Sequence, residues 1–534
     1  MKTGLFLSRH DGAISETVDV DLLSGLYSNL PVAKVYDSFF RHKAQTDILK
    51  TVDAHGLDSV VFAGNSPKYY DMILGGTLLL DALKSRGINE NKIAFANIHE
   101  QVAMSHKGER VKATEKAGLL IDVALTKVEM SPNIKSIVVS PRRSVLIVGT
   151  TAGGIIAAWE LLAKGYRVFL AERGLSLRVP ADMEENIMPT LAAVQSSDRS
   201  KMFTQTEIKD VSGYAGQYKI VLTTPGGDEE ILVGGIILSL GNDIAWVKAL
   251  RSKMRFGIDP DGSVAQETMF IGQTTDPGIW FLPSGKEGIT SLADEISGAS
   301  RAVLSLTSLL DANEIAHSLL ISAVDEKVCG GCGTCVKTCA FAASSIDLSR
   351  KLSVINPERC KGCGNCVTSC PTGARDLVSF PTKYISKAIS LLSRGVVNGA
   401  EPKILAILCK NCGYSAADSA GELISRTPGQ KLSLNVMPFL LECGGNVDTQ
   451  YVLEAFSNGF DGVALFICRD GHCHNIVGNT DMQRRLGLFR AVLRSRDIKD
   501  ERLRVVPLNC HEGQVMIEEL QSMSEDLKTL RASN

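Results

Sequence analysis

The sequence predicts an α/β chain built from several domains, and three observations predict it. Apolar strand-like runs alternate with amphipathic helical stretches at both ends of the chain. A strand, a glycine loop, a helix and a second strand follow one another from residue 144. All fourteen cysteines lie between Cys329 and Cys510, so one part of the chain is chemically unlike the rest. At 534 residues there is room for three or four domains with sizeable cores. An apolar content of 44% and a charged content of 22% are those of a globular chain. The net charge of −2 leaves no basic footprint for nucleic acid. The longest apolar stretches, 145–159 and 231–240, are short or glycine-rich and do not suit a membrane span. The apolar patch at 4–7 ends in Arg9, His10 and Asp11, so no export signal is expected. Thiols without such a signal point to a reducing cytoplasm, with membrane contact only through partner subunits.

Residues 1–140 read as a small α/β unit. Strand patterns at 4–7, 59–63 and 92–96 alternate with helical patterns at 44–54, 73–85 and 111–128. Its polar residues show no obvious chemistry, which favours a docking or scaffolding role.

Residues 141–320 read differently. An apolar strand at 144–148 runs into Gly149-Thr-Thr-Ala-Gly-Gly154, a helix over 155–164, and a second strand at 167–171 that ends at Glu172. This is the βαβ unit of a dinucleotide fold, with an acidic residue where a ribose hydroxyl is bound. The fingerprint is degenerate. Thr151 stands where a second glycine lets a pyrophosphate approach the backbone, and its branched side chain narrows the cradle. Hairpin strands at 218–223 and 230–240, then a small-residue helix near 291–304, complete the pattern of a Rossmann-like, FAD-type domain. Between Arg173 and Lys201 there is no room for an inserted NADH domain. Gly149, Thr151, Gly154 and Glu172 are the candidate cofactor residues, and bound FAD and an empty structural relic both stay open.

Residues 321–382 carry two ferredoxin runs, Cys329-x2-Cys332-x2-Cys335-x3-Cys339 and Cys360-x2-Cys363-x2-Cys366-x3-Cys370-Pro371. Three thiolates at this spacing wrap one face of a cubane, while the fourth reaches the other cluster. Cys329, Cys332, Cys335 and Cys370 are thus expected to hold one [4Fe–4S] cluster, and Cys360, Cys363, Cys366 and Cys339 a second. Structural zinc needs only paired cysteines, which two full runs exceed. Ala340 stands where proline is usual after the first run, with every ligand still in place. Pro381 and the stretch 399–402 read as a linker around a helix at 385–392.

Residues 400–534 form a last α/β domain. A strand at 404–408 leads into Cys409-Lys-Asn-Cys412, followed later by Cys443, Cys468, Cys473 and Cys510. Strands at 434–437, 462–467 and 504–508 precede several of these thiols and so place them at the carboxyl ends of a parallel sheet. Four of them would bind one [2Fe–2S] cluster; a thioredoxin-like dithiol and a zinc site are the rivals. His472 and His474 read as outer donors to sulfur or as surface residues. The arginines at 484, 485, 490 and 494 read as a solvated face or a docking surface.

With these modules in this order, the chain resembles the A subunit of heterodisulfide reductase over roughly residues 1–395. Residues 401–534 resemble the delta subunit of the methyl-viologen-reducing hydrogenase, on the Cys409–Cys412 opening, Cys443-Gly-Gly-Asn-Val-Asp448, Cys468-Arg-Asp-Gly-His-Cys-His474 with Gly478-Asn479, Arg484-Arg485, and Glu501-Arg-Leu-Arg504. The fusion is similar to the B subunit of the quinone-interacting membrane-bound oxidoreductase. The resemblance implies an electron-relay subunit of a multi-subunit oxidoreductase, partnered by flavoprotein and heterodisulfide reductase-like or quinone-reactive subunits. It also implies one cluster in the last domain, held by four of Cys409, Cys412, Cys443, Cys468 and Cys473, with Cys510 left out. A largely structural hub and a FAD-dependent, electron-bifurcating subunit are the other readings.

Two departures stand out. The cysteines that build a further cluster in the N-terminal region of the reductase's A subunit are replaced here by Ser8-Arg-His-Asp11 and Gly64-Asn-Ser-Pro67. The paired glycines usual after the acidic residue of the second flavin strand are missing after Glu172.

Replacing Cys366 or Cys370 by serine is expected to remove one cubane, a loss of about four irons per chain. Iron analysis of the anaerobically purified variants checks this, and an unchanged content refutes the ligand assignment.

Overall fold

The computed structural model describes every residue except 73–77, 176–178, 180, 252, 255, 257, 259–261, 265–271, 275, 277, 283–290, 396–400 and 534. The N-terminal unit is a four-stranded parallel sheet of Thr3–Ser8, Val32–Tyr36, Ser59–Gly64 and Ile93–Asn97, in the spatial order second, first, third, fourth. Its central strands, the first and third, are buried along their whole length, which is why they read as continuous apolar runs. The edge strand Val32–Tyr36 was not expected. It buries only its two ends and turns Lys34 to an ion pair with Asp47, so it carries too few apolar residues to signal a strand. The helix expected over 73–85 is present as Leu78–Ser85, and its first five residues lie outside the described ones.

The chain leaves this unit through Ser136–Val139, which pairs antiparallel with Ile315–Ser318. Between the two lies the dinucleotide-type domain. Its five parallel strands are ordered Ile279–Phe281, Gly235–Leu238, Ser144–Val148, Arg167–Ala171, Ser200–Phe203. The long strand expected over 230–240 is two strands. Gly227–Val233 belongs to an antiparallel meander with Gln217–Thr224 and Glu207–Tyr214, and Gly235–Leu238 joins the parallel sheet. The change of sheet falls at Gly234, where any side chain would overlap the carbonyl of Arg142. The small-residue helix is Leu292–Leu310, opened by a capping box between Ser291 and Asp294. Pro277, in the Pro-Gly-Ile-Trp stretch before this helix, lies outside the described residues.

The cysteine-rich module consists of two short antiparallel pairs, Ser322–Val324 with Arg375–Leu377 and Ser344–Asp347 with Leu352–Ile355. Each cysteine run ends in a short helix, Thr334–Thr338 or Asn365–Thr368. The C-terminal domain is again a four-stranded parallel sheet, ordered Val436–Leu441, Ile404–Cys409, Gly462–Cys468, Leu503–Leu508. That order, second, first, third, fourth, repeats the N-terminal unit. Part of the expected linker, residues 399 and 400, lies outside the described residues.

The helix expected at 385–392 runs Thr382–Leu392 and is no linker element. It buries Tyr384, Ile385, Ala388, Ile389 and Leu392 in one core shared by the N-terminal and C-terminal units. Fully burying each large apolar side chain stabilises by about 1.5–3 kcal/mol, so this helix joins the two ends of the chain into one body.

A polar seam lies beside that core. Asp418, on helix Cys412–Arg426, accepts hydrogen bonds from Ser66 Oγ at 2.7 Å, Asn97 Nδ2 at 2.9 Å and Gln101 Nε2 at 3.3 Å. Burial pushes its carboxyl up to about 7, and the neighbouring Glu100 adds to the shift. Because the folded state holds this proton more tightly than the unfolded chain, the contribution is complete below the unfolded value of about 3.9. It is lost as pH rises through about 7. The thermal midpoint of the holoprotein is therefore expected to fall between pH 5 and pH 8 more steeply in the native chain than in Asp418→Asn. Calorimetry of both at the two pH values checks it.

Candidate metal centres and the dinucleotide cradle

Six of the eight ferredoxin cysteines fall into two neighbourhoods. One cavity is lined by Cys339, Cys360, Cys363 and Cys366, together with Ser322 and Ser344. Cys339 comes from the first run and the other three from the second, which is the crossed grouping expected for the second cubane. On the other side, Ser353 joins two thiols expected to share the first cubane. Its amide lies 3.4 Å from Cys329 Sγ and its hydroxyl 3.1 Å from Cys335 Sγ. One thiol stands apart in exposure. Cys332 is exposed, whereas burial pushes the thiols of Cys360, Cys363 and Cys366 up, Cys366 to about 11. Buried thiols of this kind become thiolates only beside a cation, which an iron core supplies.

The last domain brings Cys409, Cys412, Cys443, Cys468 and Cys473 together, all buried. Cys409 and Cys468 end adjacent parallel strands, and their sulfurs lie 3.8 Å apart. They stand where the strand order reverses direction, the position at which open α/β sheets build their sites. Cys412 opens the next helix, and Cys412, Cys468 and His474 present ligand atoms all within 4.8 Å of one another. Contact with the Cys468 thiol pulls Cys412 down, against burial and with help from His474 and Lys68. Contact with Cys473 pulls in the other direction on Cys443, and contact with Cys409, Cys412 and Cys473 raises Cys468. Packed in contact, the thiols cannot ionise together without a counter-charge. That donor set fits a metal cluster better than an isolated dithiol, because Cys409 and Cys412 are each drawn into contact with Cys468.

Of the two roles read for His474, the structure favours the one beside sulfur: it is buried, and its Nδ1 lies 3.6 Å from Cys468 Sγ. His472 turns away and bonds the carbonyl of Ile258. Cys510 is half-buried, on the loop after the fourth strand.

Each of the other modules reaches this site. From the N-terminal unit, Lys68 Nζ donates to the carbonyl of Asn411 at 3.1 Å and to Ser415 Oγ. From the dinucleotide-type domain, Arg251 donates to the carbonyls of Gly471 and Cys473. From the cysteine-rich module, Thr368 Oγ1 donates to the carbonyl of Gly445 at 2.9 Å, and Asn365 Nδ2 to Asp481 at 2.5 Å. Arg485 closes this last contact. Its guanidinium donates to Asn365 Oδ1 at 3.0 Å and to the carbonyls of Gly445 at 3.0 Å and Val447 at 3.3 Å. Of the four arginines read as a solvated face, Arg485 is thus an internal clamp. Arg490 and Arg494 pair with Asp500 and Arg484 with Asp481, while Arg484 and Arg494 stay widely exposed.

The dinucleotide cradle has the expected backbone. Gly149 takes φ +94°, and a side chain there would overlap the carbonyl of Ser239. The cradle is nevertheless satisfied from within. The amide of Gly153, at the start of helix Ala152–Ala163, donates to Glu295 Oε2 at 2.7 Å. Thr151 Oγ1 lies 2.7 Å from Ser239 Oγ and 3.3 Å from the same Glu295 oxygen. Glu172 is fully buried and accepts from the amide and hydroxyl of Thr150 at 3.1 and 2.7 Å. A pyrophosphate would meet a carboxylate at the very helix end that should attract it. As arranged, these residues do not fit FAD.

Residues 328–374 match the family described as 4Fe-4S dicluster domain, and residues 404–531 match the family described as Methyl-viologen-reducing hydrogenase, delta subunit. These matches and the gathered thiols define an iron–sulfur protein of the electron-transfer class. More particularly, the chain combines similarity to the A subunit of heterodisulfide reductase with a hydrogenase delta-subunit domain. An iron-sulfur A subunit of the CoB–CoM heterodisulfide reductase of Methanopyrus kandleri is 28% identical over 42% of this chain and 34% of its own length. The A subunit of the ferredoxin/F420H2-dependent CoB–CoM heterodisulfide reductase of Methanosarcina acetivorans is 34% identical over 44% of this chain and 28% of its own length. The chain thus matches about a third of the length of these relatives. Among solved structures, the THI4 protein of Thermovibrio ammonificans aligns at 16% identity over 32% of this chain and 92% of its own, with a TM-score of 0.25. Among the described residues, no helix is long and apolar enough to cross a membrane.

Gly364 lies at φ +79°, with Asn446 of the Cys443 loop at 2.5 Å from where a Cβ would stand. Gly364→Ala is expected to loosen the joint between the two cysteine-bearing modules. Left-handed strain alone costs about 1–3 kcal/mol, read as a lower thermal midpoint of the holoprotein.

Proposed function

We propose that this chain is the electron-relay subunit of a multi-subunit oxidoreductase of the heterodisulfide reductase-like kind. Cys329, Cys332, Cys335 and Cys370 hold one [4Fe–4S] cluster, and Cys339, Cys360, Cys363 and Cys366 hold the second. Four of Cys409, Cys412, Cys443, Cys468 and Cys473 hold a [2Fe–2S] cluster, with His474 beside it as a donor to sulfur. The observation that carries the reading is the contact between the Cys360–Cys366 loop and the Cys443 loop through Thr368, Asn365 and Arg485. It brings the Cys360–Cys366 loop beside the C-terminal thiols, and the exposure of Cys332 supports a first cubane that faces outward. One-electron hopping along such a line needs no acid, base or nucleophile. The protein's part is to hold sulfur, exclude water and set potentials through hydrogen bonds.

The partners follow from this polarity. A redox subunit docks at the Cys332 side, and the first half of the chain serves as assembly frame. A flavoprotein reading would require Glu295 to leave the Gly153 amide and is the weaker of the two. A cytoplasmic setting accords with thiolate ligands, with any membrane contact made by partners.

Anaerobic purification is expected to give about ten irons per chain with matching acid-labile sulfide and no flavin released by acid. About eight irons would remove the C-terminal cluster from the reading, and stoichiometric flavin would restore the flavoprotein alternative. His474→Ala is expected to keep its iron and shift the spectrum of the C-terminal cluster. Loss of about two irons would make the histidine a ligand instead.

A further inference from the structure

Arg375 is an unusual residue for its position. It follows the second cysteine run on strand Arg375–Leu377 and is 3% exposed, yet it makes no ion pair among the described residues. Its Nη2 donates to Ser353 Oγ at 2.6 Å and to Ser344 Oγ at 3.2 Å. Its Nε and Nη1 meet no hydrogen-bond partner among the described residues, although both are buried. A buried guanidinium with open donors is costly unless something negative stands beside it.

The two serines show what that is. Ser353 is the residue whose hydroxyl lies 3.1 Å from Cys335 Sγ and whose amide lies 3.4 Å from Cys329 Sγ, at the first cluster. Ser344 lines the cavity of Cys339, Cys360, Cys363 and Cys366, at the second. One cation therefore touches the wall of both cluster sites.

We propose that Arg375 is a positioning residue shared by the two [4Fe–4S] clusters: it fixes Ser353 against the first and Ser344 against the second, and its buried charge raises both reduction potentials together. The proposal rests on the cluster assignment above. Each added electron makes a cluster more negative, so a fixed nearby cation favours the reduced form of each. Sharing the cation keeps the two potentials in step, which suits a relay that must pass electrons between them without a steep drop.

The test is an EPR-monitored redox titration of the holoprotein, with iron counted in the same samples. In Arg375→Met both midpoints are expected to fall so that the reduced-to-oxidised ratio at a set potential changes about tenfold, which is 59 mV for a one-electron couple. Arg375→Lys, which keeps the charge but not the two-serine grip, is expected to fall less. Full iron with both midpoints unmoved overturns the proposal, and so does a shift confined to one cluster. Absence of cubanes from the native protein overturns the cluster assignment itself. If Arg375→Met loses iron, Ser353→Ala and Ser344→Ala decide. A fall confined to the cluster whose serine was removed supports the proposal, and no fall in either variant overturns it.

Discussion

Five thiols buried at one edge of the C-terminal sheet set the constraint that organises the molecule. Buried thiols in contact resist ionisation unless a positive centre is present, and water must be kept from the site they surround. The fold answers the second requirement by converging on that edge. Lys68 arrives from the N-terminal unit, Arg251 from the dinucleotide-type domain, and Thr368 with Asn365 from the cysteine-rich module. Three of the approaching groups bond backbone carbonyls of the thiol-bearing loops. The loops are thus held from outside while their own amides, such as those of Gly413 and Gly445, turn toward sulfur at 3.2 and 3.3 Å. A site built this way is only as well defined as the packing of every domain upon it.

The first and last domains share one strand order, and the shared order explains what the N-terminal unit is. With Ser8 aligned to Cys409 at the end of the first strand, the strand registers carry Ser38 onto Cys443 and Asn65 onto Cys468. The positions that bear sulfur in one sheet bear small buried polar groups in the other. Their neighbours at the same end of the sheet serve the seam instead. Ser66, Asn97 and Gln101 converge on Asp418, about 1.7 turns along the helix that Cys412 begins. The same end of the same sheet order gathers thiols in one domain and, in the other, polar side chains that bond the helix Cys412 begins.

The sequence carried the chemistry more clearly than the architecture. Both ferredoxin runs, the grouping of Cys339 with the second run and the strand-end placement of Cys409 and Cys468 were legible, because ligand spacing and parallel-strand burial leave strong local patterns. The edge strand Val32–Tyr36 and the sheet change at Gly234 were not, since one shows little apolar signal and the other depends on a single contact with Arg142. Nor was the direction of Arg485 or of helix Thr382–Leu392. Whether an arginine faces water or a carbonyl, and whether a helix joins two domains or spans a linker, is decided by partners far along the chain. The thiol-poor first half looked featureless for the same reason: its work is done at contacts, and contacts leave no motif.

Thr151 shows how a broken fingerprint is better read as a rebuilt one. In a working dinucleotide fold that position must be small so that a phosphate can reach the backbone. Here its hydroxyl bridges Ser239 and Glu295, and Glu295 accepts the Gly153 amide at the helix start. A helix N-terminus favours an anion, and the chain supplies one from helix Leu292–Leu310 in place of a pyrophosphate. The internal carboxylate ties that helix to Ala152–Ala163, two elements whose packing buries Ala157, Leu161, Ala302 and Leu306 in one core. A ligand that comes and goes would leave this packing to its own occupancy, whereas a built-in carboxylate makes it permanent. A frame that must hold Arg251 against the Cys473 loop is better served by the permanent anion. The same substitution that narrows the cradle therefore stiffens the domain that carries Arg251.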